Sequence, residues 1–213
     1  MAQDLIAQDL MVEDLAEAIA ALRAGELVVF PTETFYGIAA DSSSPVALAR
    51  LFAVKQREAG KPVALIAADC QTAFGLAREL PADAHRLAAA FWPGPLTIVF
   101  DSCDGMPREI RGDDGGVGVR VSPHPTARAL AAGLGRPITA TSANPAGEPP
   151  ATTLAAARAA LGAKVKVYLE GGTLPGGAPS TVVAIDHTGW RVLRAGAISE
   201  HEIAAALTRE ARP

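Results

Sequence analysis

The chain has 213 residues, of which 49% are hydrophobic and 20% are charged, and its formal net charge at pH 7 is −4. These values are typical of a globular protein and exclude a disordered, collagen-like or coiled-coil chain. The acidic balance also argues against a non-specific nucleic-acid binder, because such proteins neutralise phosphates with an excess of lysine and arginine.

Cysteine usage and hydropathy exclude further classes. The chain has two cysteines, Cys70 and Cys103, and no CxxC pair, so we expect neither a disulfide scaffold nor a structural zinc site. Residues 1–26 lack the basic start and apolar run of a secretory signal, and no apolar stretch approaches the ~18 residues of a membrane span. We therefore expect a cytoplasmic protein without membrane contact.

Helical and extended patterns alternate along the chain. Apolar spacing and capping residues predict helices over residues 10–22, 44–54, 69–79, 81–91, 122–134 and 153–161, and a last helix from the capping box of Ser199 and Glu202. Apolar and β-branched runs predict strands over residues 26–30, 62–67, 117–121, 138–141, 165–169, 180–185 and 190–194, and another that ends near residue 100. Residues 31–41 and 101–116 are predicted loops, and the latter is either a lid or a plain surface loop. The short connections predict one mixed α/β domain.

The usual nucleotide-binding and hydrolase motifs are missing. The sequence contains no GxxxxGK[ST], HExxH or GxSxG, and no GxGxxG opens a predicted helix. Any nucleotide chemistry must therefore use another arrangement of side chains.

A short basic segment, KQREAGK at residues 55–61, is the first candidate. It holds two of the four lysines in the chain, Lys55 and Lys61, with Arg57 between them. In an extended conformation these three cations share one face and suit a triphosphate. At a helix end they would instead form a solvated charge run that complements the helix dipole.

Two polar segments follow predicted strands. The sequence TSAN, residues 141–144, offers Ser142 and Asn144 as donors to a phosphate or carboxylate, or as turn formers that bond their own backbone. The sequence PTETFYG, residues 31–37, offers threonine hydroxyls to a small polar ligand, or forms a turn with an aromatic plug.

Other polar residues lie within or at the ends of predicted strands. Arg120 is flanked by valines, so it needs either a ligand carboxylate or an internal acid as its partner. Ser180 opens one strand and Arg194 closes another; both side chains either line the same cleft or are simple edge residues. The four histidines are scattered, and we expect none of them to be a catalytic base.

Seven segments occur together in one order: FPTETFYG, KQREAGKP, FWPGPLTIVF, GVGVRV, TSAN, PSTVVAID and VLRAG. In that order they resemble the YrdC-like family, the threonylcarbamoyl-AMP synthases, over about residues 25–194. The resemblance implies one YrdC-like α/β domain over residues 1–213, with its core at about 10–208 and of the short single-domain type. It also implies a twisted mixed sheet flanked by helices, with a large concave basic cleft.

The resemblance also implies an activity. Family members convert L-threonine, bicarbonate or CO2, and ATP into threonylcarbamoyl-adenylate and pyrophosphate. A separate transferase complex then moves the threonylcarbamoyl group to adenosine 37 of ANN-decoding tRNAs, so any tRNA contact of this chain is expected to be indirect or weak. Magnesium is expected on the triphosphate, with no protein metal site.

The resemblance assigns residues to both substrates. Contacts to threonine are implied for Thr32, Arg120, the backbone at Ala140, and Ser180. Contacts to ATP are implied for Lys55, Arg57, Lys61, Ser142, Asn144, Pro150 and Arg194. No protein nucleophile is implied; Lys55 and Arg57 stabilise charge.

Two other functions remain open at this level. One is an RNA-binding module without catalytic activity, which the acidic balance disfavours. The other is a carbamoyl-adenylate domain like that of hydrogenase-maturation proteins, although the acylphosphatase and zinc-finger modules found there have no counterpart in this sequence.

Overall fold

The computed structural model describes residues 14–56 and 62–208. The predicted contributions of Arg57, Lys61 and residues 10–13 lie outside the described residues. Within the described ranges, the chain folds into a mixture of strands and helices. The strands are β1 Val28–Pro31, β2 Tyr36–Ala39, β3 Ala64–Ala67, β4 Leu96–Asp101, β5 Gly116–Val121, β6 Ile138–Ser142, β7 Val167–Tyr168, β8 Thr181–Asp186 and β9 Gly189–Arg194. The helices are α1, described over residues 14–23, α2 Pro45–Lys55, α3 Cys70–Phe74, α4 Ala82–Phe91, α5 Pro125–Leu134, α6 Leu154–Leu161 and α7 Glu200–Thr208.

All of these strands belong to one mixed sheet in the order β7-β1-β2-β6-β3-β5-β4-β8-β9. Three neighbouring pairs are parallel, β1 with β7, β3 with β5 and β4 with β8. The others are antiparallel. The predicted mixed sheet flanked by helices is therefore confirmed.

Side-chain alternation divides the central strands between a core and a cleft. In β5, Val117, Val119 and Val121 point into a core that also holds Leu87 of α4 and Ile203 of α7. Successive side chains of a strand point to opposite faces. The intervening β5 residues, Gly116, Gly118 and Arg120, therefore line the other face, which is an open cleft.

Two further helix pairs pack on the remaining strands. Helices α1 and α5 bury apolar residues such as Leu22 and Leu130 beside Phe30 of β1. Helices α2 and α6 bury residues such as Leu51 and Ala157 in a third cluster. The end of α2 is thereby fixed at the edge of the cleft.

Most predicted helix starts are confirmed by their caps. The Ser44 side chain accepts from the N–H of Ala47, and Thr153 caps α6 in the same way. In the last helix, Ser199 and Glu202 bond each other reciprocally as a capping box. Asp69 caps α3, as predicted.

Three predicted elements differ from the structure. Residues 36–39, predicted as loop, form β2 because a turn after β1 reverses the chain and pairs the two strands. Helix α3 ends at Phe74 rather than near residue 79, since Gly75 follows and Ala77 forms a β-bridge with Ser102. Helix α5 begins after His124, because the Ser122 hydroxyl bonds the His124 N–H and not a helical one.

The loop before β8 is tied to the loop after β9 by one buried threonine. The Thr181 hydroxyl donates to the carbonyl of Ile198 (2.6 Å) and accepts from the Ile198 N–H (2.9 Å). Thr181 has no exposed surface, so water cannot replace these bonds. This junction fixes the neighbouring Ser180 at the cleft.

We predict that Thr181→Val lowers the free energy of unfolding by about 1–3 kcal/mol, because both polar groups of Ile198 lose their partner in a buried place. Urea unfolding of the variant beside the wild type measures this. The matched control is Thr208→Val, since the Thr208 hydroxyl lies exposed on α7; equal losses in the two variants would contradict the prediction.

Candidate active site

The cleft has a volume of about 610 Å³. Its described lining comes from every strand except β7, from Lys55 at the end of α2, and from several loops. It brings together eight of the sequence-predicted residues, although they are spread over more than 160 positions of the chain. These are Thr32, Lys55, Arg120, Ala140, Ser142, Asn144, Ser180 and Arg194. This volume is within the usual range for small-molecule sites.

Three other residues were predicted to contact the substrates. Arg57 and Lys61 lie outside the described residues, so their place relative to the cleft stays a prediction. Pro150 is exposed in the loop between β6 and α6 and is not among the described cleft-lining residues.

Lys55 joins the end of α2 to the segment that leaves β6. Its Nζ donates to the carbonyls of Ser142 (2.7 Å) and Asn144 (2.5 Å). The residue is only 4% exposed, and Gln56 after it adopts a left-handed conformation (φ 49°). Lys55 therefore lies at a helix end, as one of the two alternatives for the basic segment predicted. It is buried, however, and not solvated as that alternative expected.

The TSAN segment combines a closed turn with an open hydroxyl. The Asn144 amide nitrogen donates to the carbonyls of Pro145 (2.9 Å) and Glu148 (2.6 Å), which is turn chemistry. The Ser142 side chain, by contrast, lines the cleft and has no hydrogen bond to another described residue. The two alternatives for this segment thus apply to different residues.

Thr32 closes the turn between β1 and β2. Its hydroxyl donates to the carbonyl of Phe35 (2.6 Å) and accepts from the N–H groups of Thr34 and Phe35 (3.3 Å each). The turn alternative is therefore realised at Thr32, although the residue also lines the cleft.

Arg120 has an internal acidic partner in the PTETFYG segment. Its Nη1 donates to Oε1 of Glu33 at 2.6 Å, and the Ser122 hydroxyl donates to Oε2 of the same carboxylate at 2.8 Å. The side chains of Arg120 and Glu33 keep 10% and 20% of their surface exposed, and both line the cleft. An ion pair so placed presents both charges to a ligand.

Ser180 lies between a threonine and an arginine at the other end of the cleft. Its hydroxyl is 3.0 Å from Oγ1 of Thr97, and Nη2 of Arg194 donates to its carbonyl (2.8 Å) and to its hydroxyl (3.1 Å). Ser180 and Arg194 thus line the same cleft and are not isolated edge residues.

Sequence reasoning missed several cleft residues: Glu33, Thr97, Asp114, Gly116 and Gly118. Two signals could have found most of them. Glu33 directly follows a predicted site residue in a polar segment, and the two glycines alternate with Arg120 along β5. Asp114 lies in the loop before β5, so this predicted surface loop forms part of the cleft rim.

Charges are nearly balanced in the described part of the cleft. The lining includes three cations, Lys55, Arg120 and Arg194, and two acids, Glu33 and Asp114. The basic character implied by the family therefore depends on Arg57 and Lys61 and stays a prediction.

The Tyr36 hydroxyl fixes the start of the segment that leads from β7 to Ser180 through hydrogen bonds. The Tyr36 hydroxyl donates to the carbonyl of Gly172 (2.8 Å) and accepts from the N–H of Gly171 (3.0 Å). Burial, together with the negative charge of Glu170, raises the pKa of Tyr36. Hydrogen bonds from the N–H groups of Gly172 and Gly171 lower the pKa of Glu170.

Within residues 14–56 and 62–208, no three His, Cys, Asp or Glu side chains cluster as metal ligands. Over the same residues, no helix is both long enough and apolar enough to cross a membrane.

The family model of the Sua5/YciO/YrdC domain, described as "Telomere recombination", matches residues 20–196. The chain therefore belongs to this family, as its sequence motifs predicted. Two relatives are named threonylcarbamoyl-AMP synthase. The protein from Chromohalobacter salexigens is 44% identical over 79% of this chain and 90% of its own length. The protein from Vibrio cholerae is 37% identical over 87% of this chain and 99% of its own length.

A solved structure supports the same assignment of fold. The crystal structure of Pyrococcus abyssi Sua5 complexed with L-threonine superposes with a TM-score of 0.86 at 35% identity. The match covers 91% of this chain but 57% of the Pyrococcus chain. The chain thus spans a little over half of that protein.

We predict that Lys55→Met lowers the free energy of unfolding by about 2–4 kcal/mol, because the carbonyls of Ser142 and Asn144 lose a charged donor in a buried place. Urea unfolding measures this loss. The comparison variant is Arg194→Met, an exposed cation of the same cleft, which should cost less than about 1 kcal/mol. Equal losses in the two variants would show that the bonds from Lys55 to the carbonyls of Ser142 and Asn144 do not stabilise the fold.

We predict a pH-dependent loosening at residues 171 and 172. The pKa of Glu170 is lower in the folded state than in the unfolded state. The stability that its carboxylate adds is therefore fully present above the unfolded-state pKa, and it is lost as the pH falls through the folded-state pKa. Hydrogen-exchange protection of the Gly171 and Gly172 amides should therefore drop at acidic pH, below the ordinary glutamate range. In Glu170→Gln the protection should be lower and should not show this step; a step of equal size would contradict the assignment.

Proposed function

We propose that the chain is an L-threonylcarbamoyladenylate synthase. It would convert L-threonine, bicarbonate or CO2, and ATP into threonylcarbamoyl-AMP and pyrophosphate. The observation that carries this proposal is the convergence of eight predicted substrate-binding residues on one cleft. The relatives' names and the Pyrococcus complex with L-threonine support it.

The reaction needs no protein nucleophile. The ammonium group of threonine first loses one proton to solvent. The resulting amine attacks CO2 and loses a second proton to solvent, which gives a carbamate. A carbamate oxygen then attacks the α-phosphorus of ATP, the bond from that phosphorus to the bridging oxygen breaks, and pyrophosphate leaves. The protein therefore has two tasks, to hold the reactants in line and to neutralise charge on the phosphates.

Threonine is assigned to the part of the cleft around Arg120. The guanidinium of Arg120 would bind the α-carboxylate, since a planar guanidinium can donate two parallel hydrogen bonds to it. Thr32, the backbone at Ala140, and Ser180 would surround the rest of the molecule. The Ser180 hydroxyl is already oriented by Thr97 and Arg194.

ATP is assigned to the region between the end of α2 and the TSAN segment. The Ser142 hydroxyl, which faces the cleft, would donate to a phosphate oxygen, and Lys55 and Asn144 would fix the backbone around it. Arg57 and Lys61 would add positive charge at the triphosphate, while Arg194 and Pro150 would border the nucleotide. Magnesium would enter with ATP, bound mainly by phosphate oxygens.

The product would be consumed elsewhere. We propose that a separate cytoplasmic transferase complex passes the threonylcarbamoyl group to adenosine 37 of ANN-decoding tRNAs, with little direct tRNA contact by this chain. The near balance of charges in the described part of the cleft supports weak RNA contact, because RNA binding depends on a cationic surface.

We predict pyrophosphate release from ATP and bicarbonate that requires L-threonine and falls strongly when L-serine replaces it.

In Arg120→Lys the KM for threonine should rise about tenfold or more, because a lysine keeps the charge but cannot bind a carboxylate through two donors. The KM for ATP should stay within about twofold, given that only the threonine contact changes.

The matched control is Arg128→Lys, since Arg128 lies outside the cleft and its Nη1 bonds the carbonyls of Ser122 and Pro123. It should keep both KM values. Threonine-independent release, or no release from the folded protein together with salt-dependent RNA binding, would contradict the proposed function and favour an RNA-binding module.

A further inference from the structure

The ion pair of Arg120 and Glu33 is more than an internal salt bridge, because it opens into the cleft. Both side chains line the cleft and both are partly exposed. The proposed function uses the positive partner alone. The negative partner, Glu33, also lines the cleft, and its Oε1 lies 2.6 Å from Nη1 of Arg120.

The guanidinium of Arg120 uses one nitrogen for Glu33 and keeps others for a ligand. Within the described residues, its hydrogen bond to Glu33 goes through Nη1 alone. No buried side-chain nitrogen or oxygen in those residues lacks a partner. The Nε and Nη2 groups of Arg120 are therefore not fully buried, and since Arg120 lines the cleft, a carboxylate bound there can accept from them.

The carboxylate of Glu33 is fixed but not saturated. Oε1 accepts from Arg120 and Oε2 accepts from the Ser122 hydroxyl, so the group cannot rotate away from the cleft. Each carboxylate oxygen can accept two hydrogen bonds, which leaves one acceptor site on each. A cationic donor placed beside Arg120 would therefore find a pre-oriented acceptor.

The two charges together select the charge pattern of a ligand. A lone arginine binds any carboxylate, but here an anion at Arg120 also lies close to the negative charge of Glu33. This repulsion weakens the binding of a simple carboxylate. An α-amino acid offsets the repulsion, because the ammonium group next to its carboxylate is attracted to Glu33. A neutral pair of opposite charges thus favours a zwitterion.

We propose that Glu33 is a specificity-determining residue that binds the α-ammonium group of the amino-acid substrate while Arg120 binds its α-carboxylate. This inference rests on the proposed function, since it places threonine at Arg120. After carboxylation the nitrogen still carries one N–H, so the same contact to Glu33 can persist in the carbamate.

The test compares L-threonine with (R)-3-hydroxybutanoate, which keeps the carboxylate and the hydroxyl but lacks the amine. Calorimetric titration gives the affinity of each ligand for the wild type and for Glu33→Gln. The wild type should prefer threonine by about tenfold or more, as expected for a charge-assisted hydrogen bond. In Glu33→Gln the affinity for threonine should fall about tenfold or more, while that for 3-hydroxybutanoate should hold or rise.

The matched control is Glu26→Gln, which also removes a carboxylate paired with an arginine, Arg50, but outside the cleft. It should keep the preference of the wild type. If Glu33→Gln weakened both ligands equally, Glu33 would only hold Arg120 in place, and the inference would be overturned.

Two further measurements keep the outcome decisive. If Glu33→Gln does not fold, as judged by thermal unfolding, Glu33→Asp replaces it; this variant keeps the charge and should keep the preference for threonine over 3-hydroxybutanoate. A wild type that binds the two ligands equally would overturn the role of Glu33 while leaving the synthase proposal in place. A wild type that binds neither would overturn both.

Discussion

The two faces of the central strands impose the constraint on which the rest of the structure depends. In β4 and β5, one set of alternate residues is buried against α4 and α7, and the other set forms the floor of the cleft. A shift of one residue in the register would move Arg120 into the apolar core and a valine into the cleft. The burial of three valines in β5 therefore also fixes where the charged group of the site lies.

A second constraint comes from contacts between distant parts of the chain. Lys55 and Ser142 are 87 positions apart, and so are Glu33 and Arg120, yet both pairs are in hydrogen-bond contact. The first pair joins α2 to the end of β6; the second joins the turn after β1 to β5. These junctions hold the two proposed regions of the cleft, for threonine and for ATP, at a fixed separation, which a reaction between two bound substrates requires.

The sequence predicted the local parts of this architecture well. Capping residues such as Ser44 and Thr153 marked helix starts because they act on neighbouring backbone groups. The strand β2 could not be found in this way, since its four residues are defined by pairing with β1 and β6 rather than by their own pattern. Helix α3 was predicted too long because the β-bridge from Ala77 to Ser102 is also a non-local contact.

The same limit explains what the motifs could reveal about the site. Of the eleven substrate contacts that the family motifs implied, eight lie in the cleft. The motifs did not show that Lys55 is buried under two carbonyls, or that Glu33 is the partner of Arg120. Both facts depend on the fold, because the type of a residue and its position in the sequence do not determine its hydrogen-bond partner in the folded protein.

We propose that the cleft binds threonine and ATP side by side. The most direct measurement is a crystal structure of the chain with L-threonine and a non-hydrolysable ATP analogue. We predict the α-carboxylate at Arg120, the α-nitrogen beside Glu33, and the α-phosphate near Ser142, with room for one carboxyl group between nitrogen and phosphorus. Threonine bound outside the cleft, or with its carboxylate away from Arg120, would contradict the proposed substrate site.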